Sequence, residues 1–322
     1  MTRAALRKGL ASSFALATLG CAAALAAAAG LAPGNQPAQA PAGPREQVTV
    51  TDDHGHRITI PYPPRRIISL SPGANAMLLA AGAGKQLIAT IEYSGQPDSQ
   101  RALPKIGTVD AIDMERLIAA KPDVVIVWPN GNNPADIANI ERLGIPVYRQ
   151  EADTLEAIGG SLRRLGRLAG TSRAADRAAT ALESRLAALR SKYAPATRRP
   201  SVLLEVWDRP LYTVGGGEMM SDALGVCGAR NAFADLPPRA PAIGLGAVIA
   251  RDPDIIVAAA PPGRGASWLA QWRRFPFLKA VRDGRLLAFE DQRLSELGPG
   301  VIDATASLCR DLAVLRSRAP GS

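Results

Sequence analysis

Residues 115–128, ERLIAAKPDVVIVW, are answered 131 residues later by residues 246–259, GAVIARDPDIIVAA. Ile118, Ala119, Pro122 and Asp123 of the first stretch recur as Ile249, Ala250, Pro253 and Asp254. In each copy a short helical run stops at a charged residue followed by proline, because proline pushes the residue before it out of the helical region. A β-branched run follows at once, which is the pattern of a buried strand. The chain therefore holds two similar α/β halves. Proteins built as two such lobes bind their ligands in the cleft between them.

Working outward, residues 47–61 alternate apolar and polar on both sides of Asp53-His54-Gly55 and predict a β-hairpin. Residues 66–70 form a short apolar strand, Ser71-Pro72-Gly73 opens a helix through Met77, Leu78 and Leu79, and Gly82 stops it. Further strands are expected at residues 88–91, 124–127 and 147–148, with helices between them. Such alternation indicates a parallel or mixed sheet covered on both faces. Residues 154–168 are helical by their period and close at Gly170; Thr171 or Ser172 then caps a second helix that ends at Pro195. Its apolar positions Ala175, Ala178, Leu182, Leu186, Leu189 and Tyr193 keep three-to-four spacing, so it reads as one helical strut of about 30 Å between the halves. Residues 202–206, 255–258 and 286–289 supply strands to the second half, and residues 303–315 a closing helix.

The ends and composition bear on compartment. Arg3, Arg7 and Lys8 precede an uncharged Ala/Leu-rich run from Gly9 to Ala32, the shape of an export signal. Three outcomes fit it: cleavage after Ala38-Gln39-Ala40, lipidation at Cys21 after Thr18-Leu19-Gly20, or an uncleaved helical membrane anchor. All three place the folded part outside the cytoplasm. Residues 33–46 are rich in Pro, Ala and Gly and read as a tether. Net charge is +9, or +6 without the three cations of the signal, and the basic residues are dispersed rather than clustered with aromatics, which argues against a nucleic-acid partner. Attraction to anionic lipid or an anionic ligand stays open. Beyond Cys21 only Cys227 and Cys309 remain; in an oxidising compartment they read as a disulfide, the alternative being two separate buried thiols.

Several chemistries are missing. No phosphate-cradling loop with its lysine occurs, and Gly215-Gly216-Gly217 does not match a dinucleotide fingerprint and reads as a hairpin turn. The only histidines, His54 and His56, flank Gly55 in a surface turn, too few for a zinc hydrolase and misplaced for a serine hydrolase. The expectation is a binding protein with no catalytic residues and no resident metal or cofactor.

Six local runs carry a resemblance: Arg66 to Pro72 (RIISLSP), Glu92-Tyr93-Ser94, Asp113-Met114-Glu115-Arg116, Lys121-Pro122-Asp123, Trp207-Asp208-Arg209-Pro210, and Cys227 to Phe233 (CGARNAF). Together they resemble the periplasmic substrate-binding proteins of ABC importers, in the group that takes iron-siderophores, haem and vitamin B12, over roughly residues 47–318. The resemblance implies two Rossmann-like α/β lobes joined by a single long helix, and a disulfide between Cys227 and Cys309. The implied organisation is a signal or anchor at 1–32, a linker at 33–46, an N-terminal lobe at 47–170, a connecting helix at 171–195 and a C-terminal lobe at 196–318. It implies a periplasmic receptor, expected monomeric, that hands its ligand to a permease and its ATPase.

By the same resemblance the ligand is a metal chelate, nearest to a corrinoid such as cobalamin, with haem or a ferric siderophore as the alternative and a non-transport sensory module as a second. Tyr93, Trp128, Trp207 and Tyr212 are the expected aromatic walls, with Ser71 and Arg209 completing the candidate set; an anionic siderophore would call on Arg209. Glu115 matches the acidic residue with which the first lobe meets a permease arginine. Departures are also visible: Val109 and Ala240 stand where the B12-binding branch has tryptophans, Ala76 where the first helix carries a glutamate, and Gly246 where the second lobe carries its acidic anchor.

Overall fold

The computed structural model of the chain describes residues 46–93, 96, 98–194, 198–237 and 240–317. The export and tether readings at residues 1–45 lie outside the described residues, as does Ser94.

The chain opens on an antiparallel hairpin, β1 (Gln47–Thr51) and β2 (Arg57–Pro61). Two carboxylates shape its turn. Asp52 accepts the backbone N–H groups of His54 at 3.0 Å and His56 at 2.8 Å, while Gly55 takes φ +83°, a value open to glycine. Asp53 reaches into the first lobe, where it accepts from Arg164 Nε at 2.6 Å and Ser161 Oγ at 2.5 Å.

The first lobe is a five-stranded parallel sheet of β3 (Ile67–Ser69), β4 (Leu87–Glu92), β5 (Lys105–Thr108), β6 (Val124–Val127) and β7 (Val147–Arg149), in the order β5-β4-β3-β6-β7. Its helices are α1 (Pro72–Ala80), α2 (Asp98–Arg101), α3 (Met114–Ala119), α4 (Pro134–Arg142) and α5 (Ala157–Ala169). Gly170, at φ +73°, ends α5 and lets the chain turn into α6 (Ser172–Tyr193), whose 22 residues span about 33 Å. The second lobe is a four-stranded parallel sheet of β8 (Ser201–Glu205), β9 (Arg230–Asn231), β10 (Ile255–Ala259) and β11 (Leu286–Phe289), in the order β11-β10-β8-β9. It carries α7 (Met219–Val226), α8 (Leu245–Arg251), α9 (Gly265–Ala270), α10 (Lys279–Arg282) and α11 (Val301–Ser317). This is the two-lobed α/β architecture expected from the alternation of runs.

The repeat has a structural reason. Its two copies are α3 with β6 and α8 with β10, and each strand stands beside the first strand of its sheet. Lys121 and Asp252, the residues before the two prolines, take φ +45° and +39°, which turns the chain sharply from helix into strand. The aspartate after each proline then ties the starts of neighbouring strands. Asp123 accepts the N–H groups of Arg65 and Arg66 at 2.7 and 3.0 Å, and Asp254 accepts the N–H and hydroxyl of Ser201 at 2.8 and 3.0 Å. Charge, proline and aspartate thus set strand register in both lobes.

One apolar core runs from Ile67, Met77 and Leu78 through Leu182 and Leu186 of α6 to Val202, Leu204, Leu308 and Leu312. Polar pins add to it: Asp222 of α7 accepts the Leu155 N–H at 3.0 Å, and Arg190 of α6 pairs with Glu156 and lies 3.8 Å from Asp222. A disulfide joins Cys227, at the end of α7, to Cys309 in α11, across 82 residues.

Gly215-Gly216-Gly217 is not a hairpin turn. It is the loop leading into α7, and a Cβ at Gly215 or Gly216 would stand 2.1 Å from the carbonyl oxygen of Pro237 or 2.2 Å from that of Ala234. The glycines serve close backbone packing, which a run of three in sequence does not distinguish from a turn.

Candidate functional site

In each sheet the chain winds outward from its first strand in one direction and then crosses to the other side. The crossing falls between β3 and β6 in the first lobe and between β8 and β10 in the second. At such a switch point the connections leave the carboxyl ends of the strands in opposite directions and open a crevice. Both crevices are present. A cavity of about 70 Å³ lies among Ser71, Gly73, Trp128 and the 295–297 loop, and one of about 200 Å³ among Val206, Trp207, Ala260, Pro261 and Phe289. A third, of about 310 Å³, lies between them, lined by Trp128, Asn130, Ala152, Met219, Met220 and Leu297. Ser295 lines all three, so they adjoin at the 295–297 loop, and the central and small ones are lined by residues of both lobes, forming an inter-lobe cleft.

Trp128 is the best-prepared wall. Asn132, itself buried, accepts the Trp128 backbone N–H at 2.8 Å and donates to the Leu70 carbonyl at 2.9 Å, which locks the ends of β6 and β3 together. The indole lies flat over Gly131, where a Cβ would stand 1.9 Å from the ring. Its buried Nε1 meets no acceptor among the described residues. Trp207, 52% exposed, stands in the opposite lobe, with its Nε1 bonded to the Arg209 carbonyl and its ring edge-on to Trp268 at 6.3 Å.

The other sequence candidates are placed as follows. Ser71 lines the small cavity, but its hydroxyl caps α1 by accepting the Ala74 N–H at 3.3 Å. Tyr93 is half-buried against the first lobe's core, donates to Gln100 at 2.7 Å, and has its pKa raised by burial. Tyr212 bridges Trp207 and Ala242 through its backbone and lines none of the three cavities. Arg209 is exposed and pairs with its neighbour Asp208 at 3.3 Å, away from the cavity linings. Of the departures, Ala240 lines the central cavity, Val109 packs on the first lobe's core, and Ala76 lies against Gly298. Glu115 is exposed in the first turn of α3; at Gly246 a Cβ would meet nothing within 4 Å.

Sequence reasoning missed the polar part of the cleft. Glu151, Asp153 and Glu218 line the central cavity, Asp291 the second, and Glu296 the small one, where burial and then Asp291 push its carboxyl above the usual range. His54, read as an idle turn residue, pairs with Glu151 at 2.9 Å, and Asn130 donates to the same carboxylate. No lysine, arginine, histidine or tyrosine lines these cavities among the described residues. Among the described residues no three His, Cys, Asp or Glu side chains gather as a metal centre.

Beneath Trp207, Glu205 ends β8 fully buried and accepts from Trp272 Nε1 and Gln271 Nε2, both at 2.7 Å. Burial pushes its pKa up to about 7 against these bonds, with Asp208 adding to the rise. Because the folded pKa lies above the unfolded one, the folded state holds the proton longer, and stability falls as pH rises between about 4.5 and 7. Glu205→Gln should therefore raise stability by up to roughly 3 kcal/mol at pH 8, with Gln271 turning its amide to accept, and by under about 1 kcal/mol at pH 5. Urea midpoints at the two pH values check this; an equal effect at both would rule out the buried charge as its source.

Comparison with known proteins agrees with the geometry. The chain matches the periplasmic binding protein family over residues 67–292. The vitamin B12-binding protein of Photorhabdus laumondii is 32% identical over 249 residues, 77% of this chain and 88% of that protein. The crystal structure of the periplasmic vitamin B12-binding protein of Vibrio cholerae superposes with a TM-score of 0.72 at 28% identity, covering 79% of this chain and 99% of that one. A periplasmic haem-binding protein from Pseudomonas aeruginosa superposes with a TM-score of 0.66 at 26% identity, covering 80% and 95%. The overall fold is thus shared as well as sequence, and the chain belongs to the periplasmic binding protein family.

Proposed function

We propose that this chain is an exported receptor, not an enzyme, that captures a corrinoid of the vitamin B12 type in the inter-lobe cleft and delivers it to the permease of an ABC importer. The observation that carries this reading is the cleft itself, with an indole on each wall and no cationic side chain among the described residues of its lining. A corrinoid is a flat macrocycle whose rim carries neutral amides. Indole faces suit the ring, and the unengaged Nε1 of Trp128 offers a donor for an amide carbonyl. Haem and ferric siderophores are the second reading, supported by the shared fold. Haem brings two carboxylates and an iron that takes Tyr or His, and most ferric siderophores are anionic; five carboxyl-bearing residues line the cleft instead.

Glu115 is the proposed first-lobe contact to a permease arginine. The second lobe meets the permease without a matching acid at Gly246 and presents exposed Leu245 and Ile249 there. No helix among the described residues is long and apolar enough to cross a membrane, and attachment through Cys21 or an N-terminal helix remains part of the proposal. Calorimetric titration with cyanocobalamin, haemin and a ferric hydroxamate tests the reading. Binding of cyanocobalamin with little heat from the other two is expected. Tighter binding of haemin would transfer the site to the second reading, and no cobalamin binding at high-micromolar ligand would overturn the first.

A further inference from the structure

The connection between α9 and α10 reads QWRRFPFL at residues 271–278. From residue 264 to 282 the chain carries five cations, Arg264, Arg273, Arg274, Lys279 and Arg282, and no acidic residue. Phe277 stands in the middle of the connection at 58% exposure, the most exposed large apolar side chain among the described residues. Its position is built. Trp272 and Leu278 are buried on either side, Trp272 meets Phe275 at 6.4 Å between ring centroids, and Phe275 meets Phe277 edge-on at 6.1 Å. A ladder of three aromatics, rooted in the second lobe's core, holds the last ring out in solvent.

The cations of residues 264–282 are mostly uncommitted. Arg264, Arg273 and Arg274 are exposed and make no ion pair among the described residues, whereas Lys279 pairs with Asp252 and Arg282 with Asp283. A fixed apolar tip with unpaired arginines on one connection matches the interface of an anionic bilayer. The ring can enter the acyl boundary while the guanidinium groups stay among phosphates, their stems covering apolar surface. It does not match a small-molecule site, because the ring projects outward and the ligand cleft lies at the strand ends on Trp207.

We propose that residues 271–279 form a membrane-contact face that takes anionic phospholipid headgroups, with Phe277 at the acyl boundary. Each cation close to an anionic leaflet favours contact by about fivefold, so Arg273 and Arg274 together contribute on the order of thirtyfold.

Because the N-terminal apolar run can hold the full chain on any bilayer, the test reads the face locally. Hydrogen exchange of the segment 271–279 is measured in the full-length protein on phosphatidylglycerol-rich and on phosphatidylcholine bilayers, with α6 as internal reference. Exchange is expected to slow about tenfold on the anionic bilayer only, to lose that slowing in R273E/R274E, and to lose most of it in F277S. Equal exchange on both bilayers, or slowing that survives R273E/R274E, would overturn the proposal. Slowing by dissolved polyglutamate but not by the anionic bilayer would assign the face to an acidic protein, and slowing by inorganic phosphate alone to a soluble anion; either result overturns the membrane reading.

Discussion

Trp128→Ala should raise the Kd for cobalamin by between a hundredfold and a thousandfold, about 3–4 kcal/mol, while leaving the fold intact. The size follows from position. The indole is shared by two of the three cavities, its backbone is locked by Asn132, and its ring lies over Gly131, so little ordering remains to be done on binding. A pre-positioned aromatic at the centre of a desolvated contact is where binding energy concentrates. Trp128→Phe keeps a ring face but loses the Nε1 donor and part of the indole's area, so about tenfold of the loss should remain. Gly131→Ala keeps the indole but displaces it, because the new Cβ would stand 1.9 Å from the ring, and should also weaken binding. Calorimetry on the three variants separates the ring face from the rest of the indole and from its placement. Unchanged affinity in Trp128→Ala would mean that the ligand lies against the other wall alone, and would remove Trp128 from the site.

The two lobes were legible because their signals are local: apolar runs, prolines, and the repeated proline–aspartate pair, which turned out to pin strand starts in both sheets. β5 and β9, reading KIGT and RN, were not. They are short, polar at alternate or all positions, and become strands only because a neighbouring strand offers its backbone groups. The site divides the same way. Trp128 directly follows β6 and Trp207 comes two residues after β8, and a chain of few aromatics makes them conspicuous. Arg209 and Tyr212 share that stretch of sequence with Trp207, yet an ion pair with Asp208 and a pair of backbone bridges direct them elsewhere, which sequence proximity does not encode. The carboxyl groups of the cleft carried no motif. The carboxyl-end rule applied to β7 and β11 would have found Glu151, Asp153 and Asp291, since each follows its strand within a few residues.

Removing the Cys227–Cys309 link, as C227A/C309A, should cost about 4 kcal/mol and lower the melting temperature by roughly 10 °C, with nearly the same fall in the wild-type protein under reductant. The entropic argument rests on loop length. The link spans 82 residues, and the enclosed chain includes β9, β10 and β11, so its loss frees most of the second lobe's sheet in the unfolded state. Both cysteines are fully buried in the core that also contains Leu182 and Leu186 of the joining helix. The cost should therefore reach the seam between lobes as well. If the lobes unfold together, a single transition will move as a whole; if the second lobe stands apart once unlinked, calorimetry will show a new early transition while the first lobe's stays in place. Ligand distinguishes these further. A corrinoid touching both walls binds only the folded pair, so saturating cobalamin should recover part of the lost stability and merge the two transitions. No change in melting between C227A/C309A and wild type would mean that the apolar contacts of α7 and α11 suffice without the covalent link.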